Sequence, residues 1–185
     1  MSRLDTFIQR MQAQRACIDE VARQSVGMDG LILELGLGNG RTYDHLRQRF
    51  AGRPIYVFDR EVAAHPDCVP PPEMLRLGDF RQTVPAFREL HRGSALFVNA
   101  DVGSADRSAS VRLANDLAPA LREILAPRAW LACDQPIDCA GLEHLDLPGG
   151  HFGDRYHFYR RMDEGLLTPL EDSRHGRAGR RARRE

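Results

Sequence analysis

Between positions 34 and 42 the chain reads Glu34-Leu35-Gly36-Leu37-Gly38-Asn39-Gly40-Arg41-Thr42. Glycines on alternate positions let backbone lie against a ligand without Cβ interference. A helix beginning behind them presents unpaired N–H groups and the positive end of its dipole. The apolar run 31–35 leads into the turn. That places the glycines at the C-terminal edge of a buried strand, where open α/β sheets hold nucleotide-type cofactors. Acids recur behind later apolar runs: Asp59 after 55–58, Asp79 after 74–77, Asp101 after 95–98 and Asp134 after 129–133. At the end of a second strand, the Asp59 carboxylate can accept hydrogen bonds from ribose hydroxyls. Asp101 and Asp134 end strands at the same edge and are the candidate catalytic groups.

The elements that must position these residues follow from periodicity. Leu4, Phe7, Ile8, Met11, Ile18, Val21 and Ala22 recur at helical spacing and predict one helix over 2–25, with Ser2 as cap and Asp5 three residues on. Short strands are expected at 31–35, 55–58, 74–77, 95–98 and 129–133, then near 142–147 and 156–160. Helices are expected at 41–50, 83–91 and 106–125, with Pro119 marking a kink. The proline loop through His65-Pro66 and Pro70-Pro71-Pro72 reads as non-helical. Strands alternating with helices imply a mostly parallel sheet covered on both faces.

Composition excludes several chemistries. The chain of 185 residues suits one domain, 1–165, with its core over 30–162, and carries no formal net charge. All its basic residues apart from histidine are arginine. With no lysine there is no Walker, Schiff-base or lysine-base chemistry. No apolar run approaches the ~20 residues of a membrane span. Cys17, Cys68, Cys133 and Cys139 form no C-x-x-C pair, so no zinc or disulfide framework is expected and a reduced cytoplasm suits the chain. The arginine-rich stretch 172–185 has almost nothing apolar and is expected to be a disordered tail.

A dinucleotide fingerprint, G-x-G-x-x-G, would place its third glycine where this chain has Arg41. The observed E-x-G-x-G-x-G, followed by Asp59, Gly78-Asp79-Phe80 and Asn99-Ala100-Asp101, resembles the class I S-adenosylmethionine-dependent methyltransferases. The resemblance covers about residues 1–162 and extends to Arg155-Tyr156-His157-Phe158-Tyr159-Arg160-Arg161, similar to that family's antiparallel last strand; the chain also resembles a small single-domain bacterial branch. It implies a doubly wound, mostly parallel, seven-stranded Rossmann-like sheet with an antiparallel final strand, in three α/β/α layers. S-adenosyl-L-methionine is the implied cofactor. Glu34 would hold its ammonium, directly or through water. Gly36, Leu37, Gly38, Asn39, Gly40 and Thr42 would form the turn around its aminocarboxypropyl group. Asp59 would take the ribose diol, and Arg60 would lie over the adenine. Asp79 would take the adenine amino group, Phe80 would pack by the ring, and Asp101 would sit beside the methionine part.

The acceptor is less legible. His65, His91, Tyr156 and His157 join Asp101 and Asp134 as possible bases, His91 reading as a structural cation at a helix end. Asp101, Asp134 and Gln135 are similar in placement to the magnesium ligands of catechol-type O-methyltransferases, with Gln in place of the usual Asn. The set is carried as a weak metal alternative. The lack of an inserted domain favours a small-molecule acceptor and leaves the core without a lid, so that a homodimer could complete the site. The arginine tail is read as solvated, against a nucleic-acid partner. The competing readings are a cofactor-binding regulatory protein without catalysis and a nicotinamide oxidoreductase.

Overall fold

The computed structural model describes residues 1–150 and 155–163. The elements run α1 (Arg3–Gln24), β1 (Leu31–Leu35), α2 (Arg41–Arg49), β2 (Ile55–Asp59), β3 (Leu75–Leu77), α3 (Phe80–His91), β4 (Ala95–Ala100), α4 (Arg107–Ile124), β5 (Leu125–Cys133), β6 (Leu142–Leu145) and β7 (His157–Arg161). One seven-stranded sheet has the order β3-β2-β1-β4-β5-β7-β6. Every pairing from β3 to β5 is parallel, and β7 runs antiparallel between β5 and β6. The expected tail at 172–185 lies outside the described residues.

Alternation along the central strands divides the core into two layers. Leu33, Leu35 and Val98 point to the face covered by Val84 and Phe87 of α3 and Leu117 and Leu121 of α4. Ile32, Phe97 and Trp130 point to the other face, under Cys17, Ile18 and Val21 of α1 and Leu46 of α2. Covering both faces makes the central strands continuous apolar runs, which is why they were legible.

Some boundaries differ from the sequence expectation, each for a local reason. Asp79 caps α3 by accepting from the Arg81 N–H at 2.8 Å, so that helix starts at Phe80 rather than 83. β4 continues through Asn99 and Ala100, both buried, because the polar Asn99 is paired inside the core. The proline loop contains two 3-10 turns, Pro66–Cys68 and Pro72–Met74, with proline in the first position, where a missing N–H costs nothing.

The departure that matters most is in α1. Its capping box forms as expected, Ser2 and Asp5 bonding reciprocally. Its apolar stripe is not one buried face. Ala13, Cys17, Ile18 and Val21 are buried, whereas Leu4, Phe7 and Ile8 are exposed. The helix packs against α2 and β5, and its buried residues all lie from Ala13 onward.

The turn after β1 is held by a close approach. Gly36 has φ +89°, and a Cβ there would collide with the Asp101 carbonyl oxygen. Gly36→Ala combines left-handed strain with a backbone clash that no rotamer relieves. It is expected to cost at least about 2 kcal/mol in urea unfolding; a loss within 0.5 kcal/mol would show that this approach is not a constraint.

Candidate functional site

The hydrogen-bond ladder continues past the strands and sets their ends in one row. Gly78 N–H donates to Asp59 O at 2.9 Å, Gly36 N–H to Phe58 O at 2.9 Å, Asp101 N–H to Leu35 O at 2.9 Å and Asp134 N–H to Ala100 O at 3.1 Å. Chain order reverses between β1 and β4, so Gly36 and Asp101 flank the switch point of the sheet.

Two cavities open along this edge. The first, about 540 Å³, runs over the switch point and is lined by Gly36, Gly38, Asp59, Arg60, Phe80 and Asp101, with Val102-Gly103-Ser104 and the first turns of α4 opposite. Asp59 is braced by the glycine turn, its Oδ2 accepting from Leu37 N–H at 2.8 Å and Gly38 N–H at 3.2 Å. The second cavity, about 370 Å³, lies toward β5. Its wall includes Arg3, Thr6, Phe7 and Arg10 of α1, Arg107 of α4, and Asp134 and Gln135. Gly103 and Ser104 belong to both linings, so the two cavities adjoin there.

Arg10 joins α1 to this edge. Its Nη1 donates to Asp101 Oδ1 at 2.9 Å and lies 3.8 Å from Asp134 Oδ2. Asp134 is nearly buried and also accepts from Val102 N–H at 3.1 Å and Gln135 Nε2 at 2.8 Å. Burial, with the charge of Asp101 adding to it, pushes the Asp134 carboxyl up to about 6 despite Arg10. The magnesium alternative fits this arrangement poorly: a guanidinium already bridges the carboxylates, and Gln135 turns its nitrogen toward Asp134. Among the described residues no cluster of three or more His, Cys, Asp or Glu side chains could hold a metal ion.

Beneath the glycine turn lies a buried polar chain. Tyr156 donates its hydroxyl to Asn99 Oδ1 at 2.6 Å, and Asn99 donates to Glu34 Oε2 at 2.7 Å. Glu34 is fully buried, its Oε1 has no partner, and burial holds its carboxyl well above the ordinary range. A cationic ligand group would supply what that oxygen lacks.

The family model for S-adenosyl-L-methionine methyltransferases matches residues 1–161. The chain belongs to that family. The structure is also similar to the crystal structure of an S-adenosyl-L-methionine methyl transferase from Silicibacter pomeroyi DSS-3. The two share 46% identity over 87% of this chain and 99% of that one, with a TM-score of 0.83. Two distant structures share the fold alone. The antibiotic-resistance methyltransferase Kmr is 15% identical over 80% of this chain and 93% of that one, with a TM-score of 0.51. TrmN from Thermus thermophilus is 12% identical over 78% and 48%, with a TM-score of 0.53. No curated protein matches the sequence. S-adenosyl-L-methionine is thus the cofactor of this enzyme, and the nicotinamide reading falls.

Of the twelve residues assigned to the cofactor in its sequence, this methyltransferase brings six to one cavity and keeps Glu34 buried off its lining. Gly36, Gly38, Asp59, Arg60, Phe80 and Asp101 share the larger cavity. Leu37 contributes its N–H, its side chain being core. Asn39, Gly40 and Thr42 stand off the lining: Asn39 accepts from His65 N–H through its backbone carbonyl, Gly40 packs against Cys68, and Thr42 faces Gln14. Asp79 spends one carboxylate oxygen on its helix cap. Arg41 lines a groove against α1 rather than the cavity. His91 stacks on Phe87 with centroids 3.9 Å apart, and burial lowers its pKa, against the expected end-of-helix cation.

The sequence reading missed Arg10. A helical stripe shows an arginine as solvent-facing, and only the docking of α1 brings it onto the two carboxylates that follow β4 and β5.

A carboxyl raised in the native state stabilises the fold below its unfolded pKa and loses that contribution as pH rises through the native value. Asp134 therefore favours the native protein near pH 3.5 and ceases to do so by pH 7. Stability of the native protein minus that of Asp134→Asn is expected to fall by up to about 3 kcal/mol across that range in denaturant titrations. A flat difference would show that Asp134 titrates normally, and a rising one that its carboxyl is lowered rather than raised.

Proposed function

We propose that this enzyme binds S-adenosyl-L-methionine in the 540 Å³ cavity and methylates a small molecule held in the 370 Å³ cavity. The observation that carries the reading is that the two cavities adjoin at Gly103 and Ser104, with the glycine turn and Asp59 on one side and Asp134 on the other. Volumes of this size match single small ligands.

When bound, the cofactor supplies an electrophilic methyl group on a good sulfonium leaving group. The residues have the remaining tasks. Gly36 and Gly38 offer backbone to the aminocarboxypropyl part, and the unpartnered Glu34 Oε1 offers an acceptor to the ammonium. Asp59 takes the ribose diol, while Arg60 and Phe80 flank the adenine. Asp134 takes the proton released by the acceptor, because a carboxyl near 6 is ionised at neutral pH yet more basic than an exposed one. Arg10 keeps it from rising further. Alignment supplies much of the rate.

The four described cysteines are free, which supports a reducing cytoplasmic setting. No described helix is long and apolar enough to cross a membrane. The exposed Leu4, Phe7 and Ile8 support pairing with a second copy.

Calorimetry tests the cofactor site. S-adenosylhomocysteine is expected to bind with micromolar Kd, and Asp59→Ala to weaken it at least tenfold, about 1.4 kcal/mol, with circular dichroism confirming the fold. No heat at millimolar ligand, or an unchanged Kd in Asp59→Ala, would overturn the assignment.

A further inference from the structure

We infer that the 370 Å³ cavity selects a small acceptor carrying a carboxylate or phosphate, with Arg3 and Arg107 as its anion-binding residues. The inference rests on the proposed reading that this cavity takes the methyl acceptor.

The wall of the cavity is strongly unbalanced in a chain without net charge. Arg3, Arg10, Arg107 and Arg155 line it against a single acid, Asp134. Arg10 is committed to Asp101 and Asp134. Arg3 and Arg107 have no carboxylate within ion-pair distance among the described residues, whereas six of the other ten arginines of the four helices do. Arg23, Arg47, Arg81 and Arg88 each have an acidic partner within 4 Å.

Their positions are electrostatically costly. Arg3 is the first residue of α1, and Arg107 is the first residue of α4. A cation at a helix N-terminus opposes the dipole, where an acid would be favoured. Asp5, which closes the capping box of α1, and Asp106, the cap of α4, each spend a carboxylate oxygen on a backbone N–H and are not part of the cavity wall. Two helix starts from separate parts of the chain thus bring unpaired guanidinium groups to one small cavity. A planar fork of donors suits a carboxylate or phosphate, and a bound anion would relieve both unfavourable placements. The cavity is small and walled on one side by Phe7, which favours a compact anion over an extended polymer.

The test measures thermal unfolding of the S-adenosylhomocysteine complex at constant ionic strength, with tricarballylate, pyrophosphate, glycerol or a short single-stranded RNA added. The proteins are the native chain and the R3Q/R107Q double variant, both substitutions being at exposed positions. One of the two small anions is expected to raise the melting temperature by about 5 °C at a hundredfold excess over its Kd. Which one does so tells carboxylate from phosphate. Glycerol is expected to give no shift. The variant is expected to lose the anion shift, keep the shift given by S-adenosylhomocysteine, and melt at or above the native temperature in buffer alone. Equal anion shifts in both proteins, no shift with either anion, or RNA as the only stabiliser would overturn the inference. Loss of the S-adenosylhomocysteine shift in the native chain would instead overturn the reading beneath it.

Discussion

The Arg10 guanidinium between Asp101 and Asp134 is the contact on which the rest of the site depends. Asp101 and Asp134 end adjacent parallel strands, and the N–H of Asp134 bonds to the carbonyl of Ala100. Two carboxylates in one half-buried space repel each other and cost desolvation. One cation from α1 offsets part of that cost, and in doing so anchors a helix whose first turns have few packing partners of their own. The compensation is incomplete, which is why Asp134 remains elevated to about 6. A partly compensated acid beside a cavity is poised to exchange a proton, whereas a fully paired one is not.

Around this contact the fold is economical. The ladder of strand-end N–H groups places Gly36, Asp59, Asp101 and Asp134 in one row, so loop conformation has little left to decide. Glycine is required where backbone meets backbone or carboxylate. Gly36 lies against the Asp101 carbonyl, and a Cβ on Gly103 would collide with Asp134 Oδ2. Gly103 lines both cavities. The buried Glu34–Asn99–Tyr156 chain ties β1 and β4 to the segment entering β7, so the cofactor turn and the antiparallel end of the sheet share one polar core.

Much of this was legible in the sequence because it is local. Buried parallel strands are apolar runs, glycine turns punctuate them, and acids such as Asp59 and Asp101 follow each run directly. The seven strands, four helices and cofactor edge follow from such signals. What was not legible depends on where a helix lies relative to a sheet. Leu4, Phe7 and Ile8 share the apolar periodicity of the buried residues that follow them, yet periodicity does not say which turns of a helix lie over a core. Nothing in the periodicity marks Arg10, Arg3 and Arg107 as site residues, for the same reason. Asn99 read as loop because a buried amide inside a strand is recognisable only by its partners, Glu34 and Tyr156, far away in sequence.

The central claim is that a cofactor cavity and an acceptor cavity meet at Gly103, under α1. A crystal structure of the protein with S-adenosylhomocysteine tests it most directly. The account predicts ribose hydroxyls on Asp59, the amino group toward Glu34, and the sulfur at Gly103 facing the cavity that contains Asp134. A ligand whose sulfur faces away from that cavity, or one seated elsewhere on the sheet edge, would contradict it.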